Sequence, residues 1–281
     1  MAIAHPTRLA PGPVDLRAVD TRTTPGFDGD KAAGQAALEL LGRELTELQE
    51  RLFAHGRVGG RQRLLLVLQG MDTSGKGGTV RKTVGLVDPQ GVRTVSFRAP
   101  TAEERAHDFL WRVRRVLPPA GDLGVFDRSH YEDVLVARVR GLAGPAEIER
   151  RMEAINAFEA ELVDDGVTIV KCLLHISPEE QLARLLARLD DPAKHWKFSP
   201  DDIDDRARWG EYRAAYEAAL CRTNTDAAPW FLVPADRKWY RNLAVAQILL
   251  AALREMDLAW PPADFDVDAE RARLLGTEPS A

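Results

Sequence analysis

The chain has 281 residues, of which 45% are hydrophobic and 29% charged, a balance typical of a globular protein with a sizeable core. Its 38 Lys and Arg against 43 Asp and Glu give a net charge of −5 at pH 7, which argues against a general duplex nucleic-acid binder. Two cysteines are too few for a disulfide framework, and no segment resembles a signal peptide or a membrane span. We therefore expect a cytoplasmic protein without nucleic-acid or membrane partners.

Residues 1–30 are rich in Pro, Thr, Asp and Gly and have no periodicity, which predicts an extended N-terminal arm that lies over the body or stays mobile. Residues 31–281 are interpreted as a single domain. Its first helix is predicted from leucines spaced three and four apart between Leu38 and Leu52, and it ends near Gly56. We expect this leucine stripe to pack on the core of the domain.

Short apolar runs alternate with longer amphipathic stretches along the rest of the chain. The runs predict five strands, at 64–69, 92–97, 123–126, 167–176 and 230–233. Helices are predicted at 77–87, 102–117, 130–141, 146–164, 178–190, 201–221 and 237–256. This alternation indicates an α/β fold, a three-layer α/β/α sandwich with a five-stranded parallel sheet and a helical insertion at about 190–222.

A glycine-rich loop follows the first predicted strand and leads into a helix. Its sequence, Gly70-Met-Asp-Thr-Ser-Gly75-Lys76, has the spacing of a phosphate-binding loop, in which backbone N–H groups converge on a phosphate and the lysine reaches toward it. The loop residues that we expect at the phosphates are Gly70, Thr73, Ser74, Gly75, Lys76, Gly77 and Gly78. The strand, loop and helix together predict a P-loop kinase-like domain, and a glycine-rich turn with an exposed lysine is the alternative.

The residue after the lysine departs from the P-loop pattern. A Ser or Thr normally helps to hold Mg²⁺ at that position, but this chain has Gly77. Another group must then bind the metal, and Asp72 within the loop is the candidate, with a loop-capping role as the alternative. A carboxylate among phosphate-binding N–H groups is reasonable where it faces a Mg²⁺ ion that bridges to the phosphates.

A second acidic position lies at the end of the third predicted strand. Asp127 follows the apolar run that begins at Leu123, and parallel α/β sheets bind their ligands outside the carboxyl ends of the strands. We therefore predict Asp127 as a second Mg²⁺ ligand and the adjacent Arg128 as the group that neutralises a phosphoryl group in transfer. A helix N-cap followed by a surface arginine has the same local pattern, so the prediction depends on the loop.

Basic residues cluster in and before the predicted insertion. Arg184 and Arg188 are four residues apart and share a helix face, and Lys194 and Lys197 follow in the next loop. This cluster favours a lid that closes over phosphates, with a solvated charged surface as an equal alternative. Arg98, at the end of the second predicted strand, is a further predicted phosphate contact.

Taken together, these segments resemble the polyphosphate kinase 2 family over about residues 26–260. The resemblance is carried by residues 70–78, 88–91, 96–100, 107–112, 126–129, 131–133, 194–200, 222–225 and 233–239. It implies a P-loop fold with a helical lid and Mg²⁺-dependent transfer of a terminal phosphoryl group between inorganic polyphosphate and a nucleotide.

The resemblance also implies roles for particular residues. Asp72 and Asp127 would hold Mg²⁺, and Lys76 and Arg128 would stabilise the phosphoryl group in transfer. The lid residues that would grip phosphates are Arg184, Arg188, Lys194 and Lys197. The implied partners are inorganic polyphosphate and adenine or other purine nucleotides, and the implied assembly is a homodimer or homotetramer.

The segments 107–112 and 129–133 are more similar to the branches of the family that act on AMP, or on AMP and ADP, than to the diphosphate-only branch. Two other classes of protein use parts of the same pattern. An ATP-dependent nucleoside or nucleotide kinase would have the loop and the lid without a path for a polymer, and a silent polyphosphate-binding or nucleotide-switch module would have lost turnover. The presence of Asp72, Lys76, Asp127 and Arg128 together counts against the silent module.

Overall fold

The computed structural model describes residues 3–277. Its strands are β1 (Arg63–Gln69), β2 (Val92–Ser96), β3 (Leu123–Asp127), β4 (Val167–His175) and β5 (Trp230–Pro234). They form one parallel sheet with the order β2-β3-β1-β4-β5. The predicted five-stranded parallel sheet is therefore confirmed, and each strand begins and ends within one residue of the prediction.

The helices cover both faces of the sheet and make up most of the segment 190–222. They are α1 (Lys31–Arg57), α2 (Lys76–Thr83), α3 (Ala102–Arg105), α4 (Trp111–Arg114), α5 (Glu132–Val139), α6 (Pro145–Asp164), α7 (Pro178–Leu189), α8 (Asp201–Ala207), α9 (Trp209–Thr223), α10 (Lys238–Glu255) and α11 (Val267–Leu275). Short 3-10 turns lie at Leu16–Ala18, Val84–Leu86, Pro89–Gly91 and Pro192–Lys197. Within residues 3–277, none of the helices has both the length and the hydropathy needed to cross a membrane.

Two hydrophobic cores lie on opposite faces of the sheet, because successive strand residues point to opposite sides. Leu65 and Val67 of β1 pack with residues of α5, α6 and α9. Leu64 and Leu66 pack on the other face with residues of α1 and α10. Both faces of the sheet are thus buried, which explains why the strands are continuous apolar runs and confirms the three-layer arrangement.

Three predicted helices differ from those in the structure. The stretch 102–117 forms two single turns, α3 and α4, because the side chain of Asp108 accepts the N–H of Leu110 (3.0 Å) and competes with helical bonding. The stretch 201–221 is divided at Arg208, whose backbone has φ −95° and ψ 21°. The helix after the P-loop ends at Thr83 and continues only as a 3-10 turn.

The helix α11 was not predicted from the sequence. None of its side chains is buried, so no apolar stripe packed on a core marks it.

Residues 3–30 lie against the body of the protein. Leu9 N donates to Trp230 O (2.9 Å) and Leu232 N donates to Thr7 O (2.8 Å), so this segment is hydrogen-bonded to the outer edge of β5. Farther along, Leu16 is 3% exposed, and its carbonyl oxygen lies 3.0 Å from Nε2 of the histidine that ends β4. The segment therefore runs from the edge of the sheet to the carboxyl ends of its strands.

The order of the strands brings the predicted site residues together. β1 is central and is paired with β3 and β4. Leu68, near the end of β1, is in register with Asp127 at the end of β3. The loop after β1 and the carboxylate that ends β3 therefore open on the same edge of the sheet.

Candidate active site

The P-loop, residues 70–75, joins β1 to α2 and uses backbone conformations that favour glycine. Gly70 and Gly75 have φ values of +148° and +103°, and Thr73, at +66°, is a non-glycine residue in the left-handed region. An ideal Cβ atom at Gly75 would lie 1.7 Å from Nη1 of Arg241. Glycine is therefore required at position 75 by both the backbone and the packing.

Side chains of α7 hold the carbonyl groups of the P-loop from behind. Gln181 Nε2 donates to Asp72 O (3.2 Å), and Arg184 Nη1 donates to Thr73 O (2.8 Å) and Ser74 O (3.2 Å). The C=O and N–H groups of a peptide point in opposite directions. Carbonyl groups held toward α7 therefore turn N–H groups of the loop away from that helix, as in an anion-binding nest.

Arg241 on α10 supports the P-loop from a second side. Its Nη1 donates to Ser74 O (3.1 Å), and its Nε and Nη2 donate to Asn242 Oδ1 (3.2 and 2.9 Å). Arg241 is 3% exposed, and burial and the charge of Arg184 lower its pKa to about 9. A phosphate bound at the loop would help to compensate this buried positive charge.

Lys76 is the first residue of α2 and lies over the loop. It is 8% exposed, and its Nζ donates to Gly70 O (2.7 Å). Burial and the charge of Arg128 lower the pKa of Lys76 below its ordinary value of 10.5, and nearby carboxylates, Asp72 foremost, oppose this shift. The N–H groups of the first helical turn and the ammonium group thus meet at one place, where an anion is stabilised.

Asp72 and Arg128 form an ion pair at the P-loop, with Arg128 Nη2 2.7 Å from Asp72 Oδ1. Burial alone would raise the pKa of Asp72, but the charges of Lys76 and Arg128 bring it below its ordinary value, so the carboxylate is ionised at neutral pH. Burial acts to lower the pKa of Arg128, but Glu132 and Asp72 raise it overall. Arg128 also has a φ of +65°, a strained conformation for a residue with a side chain.

Asp127 ends β3 beside the start of α2. In residues 3–277 its carboxylate has no ion pair or side-chain hydrogen bond, and an ideal Cβ atom at Gly77 would lie 3.9 Å from its Oδ2. A Ser or Thr side chain at position 77 would therefore begin in contact with this carboxylate. Glycine leaves the space between α2 and Asp127 open.

The residues at this edge fit a Mg²⁺ ion better than a structural metal. In the described part of the chain, no three or more His, Cys, Asp or Glu side chains are grouped so as to hold a metal. Phosphoryl-transfer sites hold Mg²⁺ with only one or two carboxylates, and phosphate and water oxygens complete the coordination. The open carboxylate of Asp127, with Asp72 as the second, is a donor set of this kind.

A buried polar network supports the turn that carries Arg128. Lys171 on β4 is fully buried, and its Nζ donates to Glu159 Oε2 (2.6 Å), Tyr131 Oη (2.9 Å) and Thr223 O (2.7 Å). Burial acts to raise the pKa of Glu159, but the charge of Lys171 lowers it below its ordinary value. Since Tyr131 lies three residues after Arg128, the network ties this turn to α6 and α9.

The predicted lid segment, 190–222, contains the 3-10 turn Pro192–Lys197 together with α8 and most of α9. Its two predicted phosphate contacts are exposed: Lys194 Nζ pairs with Asp191 Oδ2 (2.7 Å), and Lys197 Nζ lies 4.9 Å from the ring centroid of Trp196. The structure does not bring either lysine into contact with the P-loop. Arg188 is nearer the loop, since its charge contributes to lowering the pKa of Asp72.

Arg184 of α7 makes hydrogen bonds to the P-loop and to the residues that follow β5. Besides the loop carbonyls, its Nε donates to Glu180 Oε1 (2.7 Å) and its Nη2 donates to Ala235 O (2.7 Å) and Asp236 O (3.0 Å). All three nitrogen atoms are therefore engaged within the protein. Arg184 holds the loop in this structure, and its contact with a phosphate stays a prediction.

Arg98 lies just beyond β2 and is exposed. Its carbonyl oxygen accepts a hydrogen bond from Arg112 Nη1 (2.9 Å). Its guanidinium group forms no ion pair with any residue that the structure describes. A contact of Arg98 with phosphate stays a prediction.

Two acidic residues near the loop were not predicted from the sequence. Glu132 begins α5, and burial raises its pKa although Arg128 and Lys76 oppose the shift. Asp202 on α8 accepts from Arg188 Nη1 (3.2 Å), and burial and the charge of Asp72 raise its pKa. The spacing of Glu132 from the end of β3 is a signal that could have indicated it, whereas Asp202 is one of several aspartates at the start of α8.

Gln181 and Arg241 were also missed. Gln181 precedes Arg184 by three residues and shares its helix face, so the periodicity of α7 could have indicated it. Arg241 reaches the P-loop only because α10 packs behind it, and nothing in the local sequence indicates this contact.

Known proteins match this chain over most of its length. The family model described as Polyphosphate kinase 2 matches residues 28–260. The AMP/ADP-polyphosphate phosphotransferase of Meiothermus ruber is 46% identical over 250 residues, which cover 89% of this chain and 92% of that protein. The ADP-polyphosphate phosphotransferase of Rhodopseudomonas palustris is 37% identical over 93% of this chain and 92% of its own length.

A solved structure gives the same result. The crystal structure of polyphosphate kinase 2 from Arthrobacter aurescens matches with a TM-score of 0.95 at 53% sequence identity, and the match covers 99% of this chain and 98% of that one. The similarity therefore includes the sheet, the P-loop and the segment 190–222 after β4.

Proposed function

This chain belongs to the polyphosphate kinase 2 family, whose reaction is phosphoryl transfer between polyphosphate and a nucleotide, and we propose that it acts on AMP and on ADP with Mg²⁺ as the metal. The relative at 46% identity is named for both AMP and ADP, which supports a chain that phosphorylates each of the two nucleotides. The relative at 37% identity is named for ADP alone.

The proposal rests on one observation. Two acidic and two basic side chains lie together at a P-loop whose carbonyl groups are hydrogen-bonded to α7. Arg128 pairs with Asp72, and Lys76 bonds to the carbonyl of Gly70. Asp127 stands open beside Gly77. Transfer of a phosphoryl group requires mainly alignment and charge neutralisation, and these residues supply both.

In the proposed mechanism the loop N–H groups and Lys76 bind the terminal phosphates of the donor. Asp127 and Asp72 would hold Mg²⁺, which neutralises charge on the phosphate oxygens when it is bound. Arg128 lies at the same edge and would neutralise the phosphoryl group during transfer. Its ion pair with Asp72 and its contact of 3.8 Å with Glu132 keep the guanidinium group at the loop before the substrate binds.

The lid completes the proposal. Lys194 and Lys197 are exposed, and Arg188 connects the lid to the neighbourhood of Asp72. Closure of this segment would bring cations over a polyanion that extends beyond the P-loop. A homodimer or homotetramer and a cytoplasmic location are part of the proposal, and the free thiols Cys172 and Cys221 support a reducing compartment.

The test is to supply polyphosphate and Mg²⁺ with AMP or ADP in separate tubes, without any nucleoside triphosphate, and to resolve the nucleotides at early times. ADP from AMP, followed by ATP, would support action on both nucleotides. ATP from ADP alone would restrict the protein to the diphosphate reaction. No product with polyphosphate, but product when ATP is the donor, would replace the proposal with an ATP-dependent kinase.

A further inference from the structure

Asp236 connects the N-terminal arm to the helix that holds the P-loop. It follows β5 by two residues and is 7% exposed. Its Oδ1 accepts from Ser177 N (2.9 Å), and its Oδ2 accepts from Ser177 Oγ (3.0 Å) and from Thr21 Oγ1 (2.7 Å). Ser177 is the N-cap of α7. One buried carboxylate therefore joins the arm to the first turn of α7.

The backbone carbonyl of Asp236 also contacts Arg184, which holds the P-loop. Arg184 Nη2 donates to Asp236 O (3.0 Å) while its Nη1 donates to Thr73 O (2.8 Å). Gln181, on the same helix, donates to Asp72 O (3.2 Å). A displacement of Asp236 would therefore be transmitted to the loop through the guanidinium group of Arg184 and through the start of α7.

Asp236 contacts the arm through one backbone hydrogen bond and one side-chain hydrogen bond. Asp236 N donates to Thr21 O (3.2 Å), and the hydroxyl of Thr21 donates to the carboxylate. Thr21 is 8% exposed, so water does not readily replace its hydroxyl group. Removal of this donor alone would leave the carboxylate with one hydrogen bond fewer and would leave the backbone contact in place.

We propose that Thr21 and Asp236 are positioning residues for the phosphate loop, so that the N-terminal arm takes part in the reaction without touching the substrate. The inference rests on the proposed function. A loop that binds phosphate through its N–H groups must keep its peptide planes within a narrow range of orientation. The side chains of α7 can fix the loop in this way only if the first turn of α7 is itself fixed, and Asp236 fixes it.

The test uses three variants of the full chain. Thr21→Val removes the hydroxyl and keeps the shape, and Thr21→Ser restores a hydroxyl. Thr23→Val is the matched control, because Thr23 is exposed and its Oγ1 donates to Asp20 O within the arm. The readouts are kcat and KM for polyphosphate, the melting temperature, and hydrogen exchange of the amides of residues 72–78.

We expect Thr21→Val to lower kcat/KM for polyphosphate about tenfold, the scale of one hydrogen bond to a charged acceptor, and to speed exchange in the P-loop. Thr21→Ser should recover most of both losses, and Thr23→Val should resemble the wild type. Equal kcat/KM and equal loop exchange in Thr21→Val and Thr23→Val would overturn the inference, as would a lower melting temperature with unchanged loop exchange. If the wild type does not turn over polyphosphate, the proposed function fails. The hydrogen exchange of the P-loop amides in Thr21→Val, compared with Thr23→Val, then still tests whether Thr21 positions the loop.

Discussion

At the scale of single residues, the carboxylate of Asp127 makes no side-chain hydrogen bond within residues 3–277. It makes no ion pair with any described residue and lies beside the space left open by Gly77. Asp127→Asn should therefore keep the fold and lower kcat by at least about a hundredfold, because charge stabilisation at the transferred group is lost.

The measurement is the initial rate at saturating Mg²⁺ and polyphosphate, with the circular dichroism spectrum of each protein as the control for folding. A variant that keeps the wild-type kcat would remove Asp127 from the mechanism.

Lys76 makes the reaction sensitive to alkaline pH. Burial and Arg128 lower its pKa below 10.5 in the folded protein, and the charged form is the one that binds phosphate. Lys76 is therefore charged below the lowered pKa, and the activity that depends on its charge is lost as the pH rises through that pKa. We expect kcat/KM for polyphosphate to fall on the alkaline side at a pH below 10.5.

Lys76→Arg supplies the matched variant, since a guanidinium group stays charged at higher pH. The alkaline fall should move to higher pH in this variant, even where its maximal rate is reduced. A fall at the same pH in both proteins would assign the titration to another group.

How well a site residue could be predicted depends on whether its role follows from the local sequence. Gly75 and Lys76 were identified because the P-loop is a contiguous pattern. For Arg184 the periodicity of α7 indicates which residues share a face, but not whether that face meets the front of the loop or its back. The structure places Arg184 behind the loop, and this placement depends on how α7 leaves β4.

At the scale of elements, the network around Lys171 joins β4 to α6, α9 and the turn after β3. Lys171→Met would leave the carboxylate of Glu159, which is 1% exposed, without its lysine partner. Tyr131 Oη (3.0 Å) and His130 Nε2 (3.2 Å) would then be its hydrogen-bond partners. We expect a loss of about 3–5 kcal/mol in the free energy of unfolding. Urea unfolding at neutral pH measures it.

The double variant Lys171→Met with Glu159→Gln should recover part of this loss, because no buried charge is then left unpaired. The exposed pair of Arg114 and Glu161, joined by two hydrogen bonds of 2.7 Å, is the control. Arg114→Ala should cost much less. A loss as large as that of Lys171→Met would show that burial is not the cause.

The proposed lid should affect how the enzyme discriminates between long and short polyphosphate chains. Lys194 and Lys197 lie outside the P-loop and are exposed, so only a polyanion that extends past the loop can reach them. Replacing both with Ala should raise KM for long-chain polyphosphate more than KM for a short chain. The short chain serves as the control for the long chain in the same variant. An equal rise in KM for both chain lengths would indicate that the two lysines act on the nucleotide instead of the polymer.

Most elements could be predicted because apolar runs and amphipathic periodicity are local signals. The exceptions have local or tertiary causes. The side chain of Asp108 accepts the N–H of Leu110 in the break between α3 and α4. Arg208, whose Nη1 donates to Val139 O (3.0 Å), divides α8 from α9. α11 has no buried side chain, so burial leaves no pattern in its sequence.

At the scale of the whole molecule, a net charge of −5 coexists with the exposed Lys194 and Lys197 of the predicted lid segment. The attraction of polyphosphate is therefore local, and the surface as a whole repels it. We expect kcat/KM for polyphosphate to fall as the salt concentration rises, because exposed charges such as Lys194 are screened.

The measurement compares KM for polyphosphate and KM for the nucleotide over a series of salt concentrations. The dependence should be steeper for polyphosphate, which carries more charge. If KM rose equally steeply with salt concentration for both substrates, a separate cationic path for the polymer would be contradicted.

The arm along β5 also bears on how the protein behaves at high concentration. A strand at the edge of a sheet offers unpaired backbone groups to other chains, and β5 is an apolar strand of this kind, Trp230–Pro234. The hydrogen bonds of Thr7 and Leu9 occupy that edge. At the opposite edge, β2 exposes Arg93, Thr94 and Ser96. The segment that we propose to position the P-loop thus also covers an edge of the sheet that could otherwise pair with a strand of another chain.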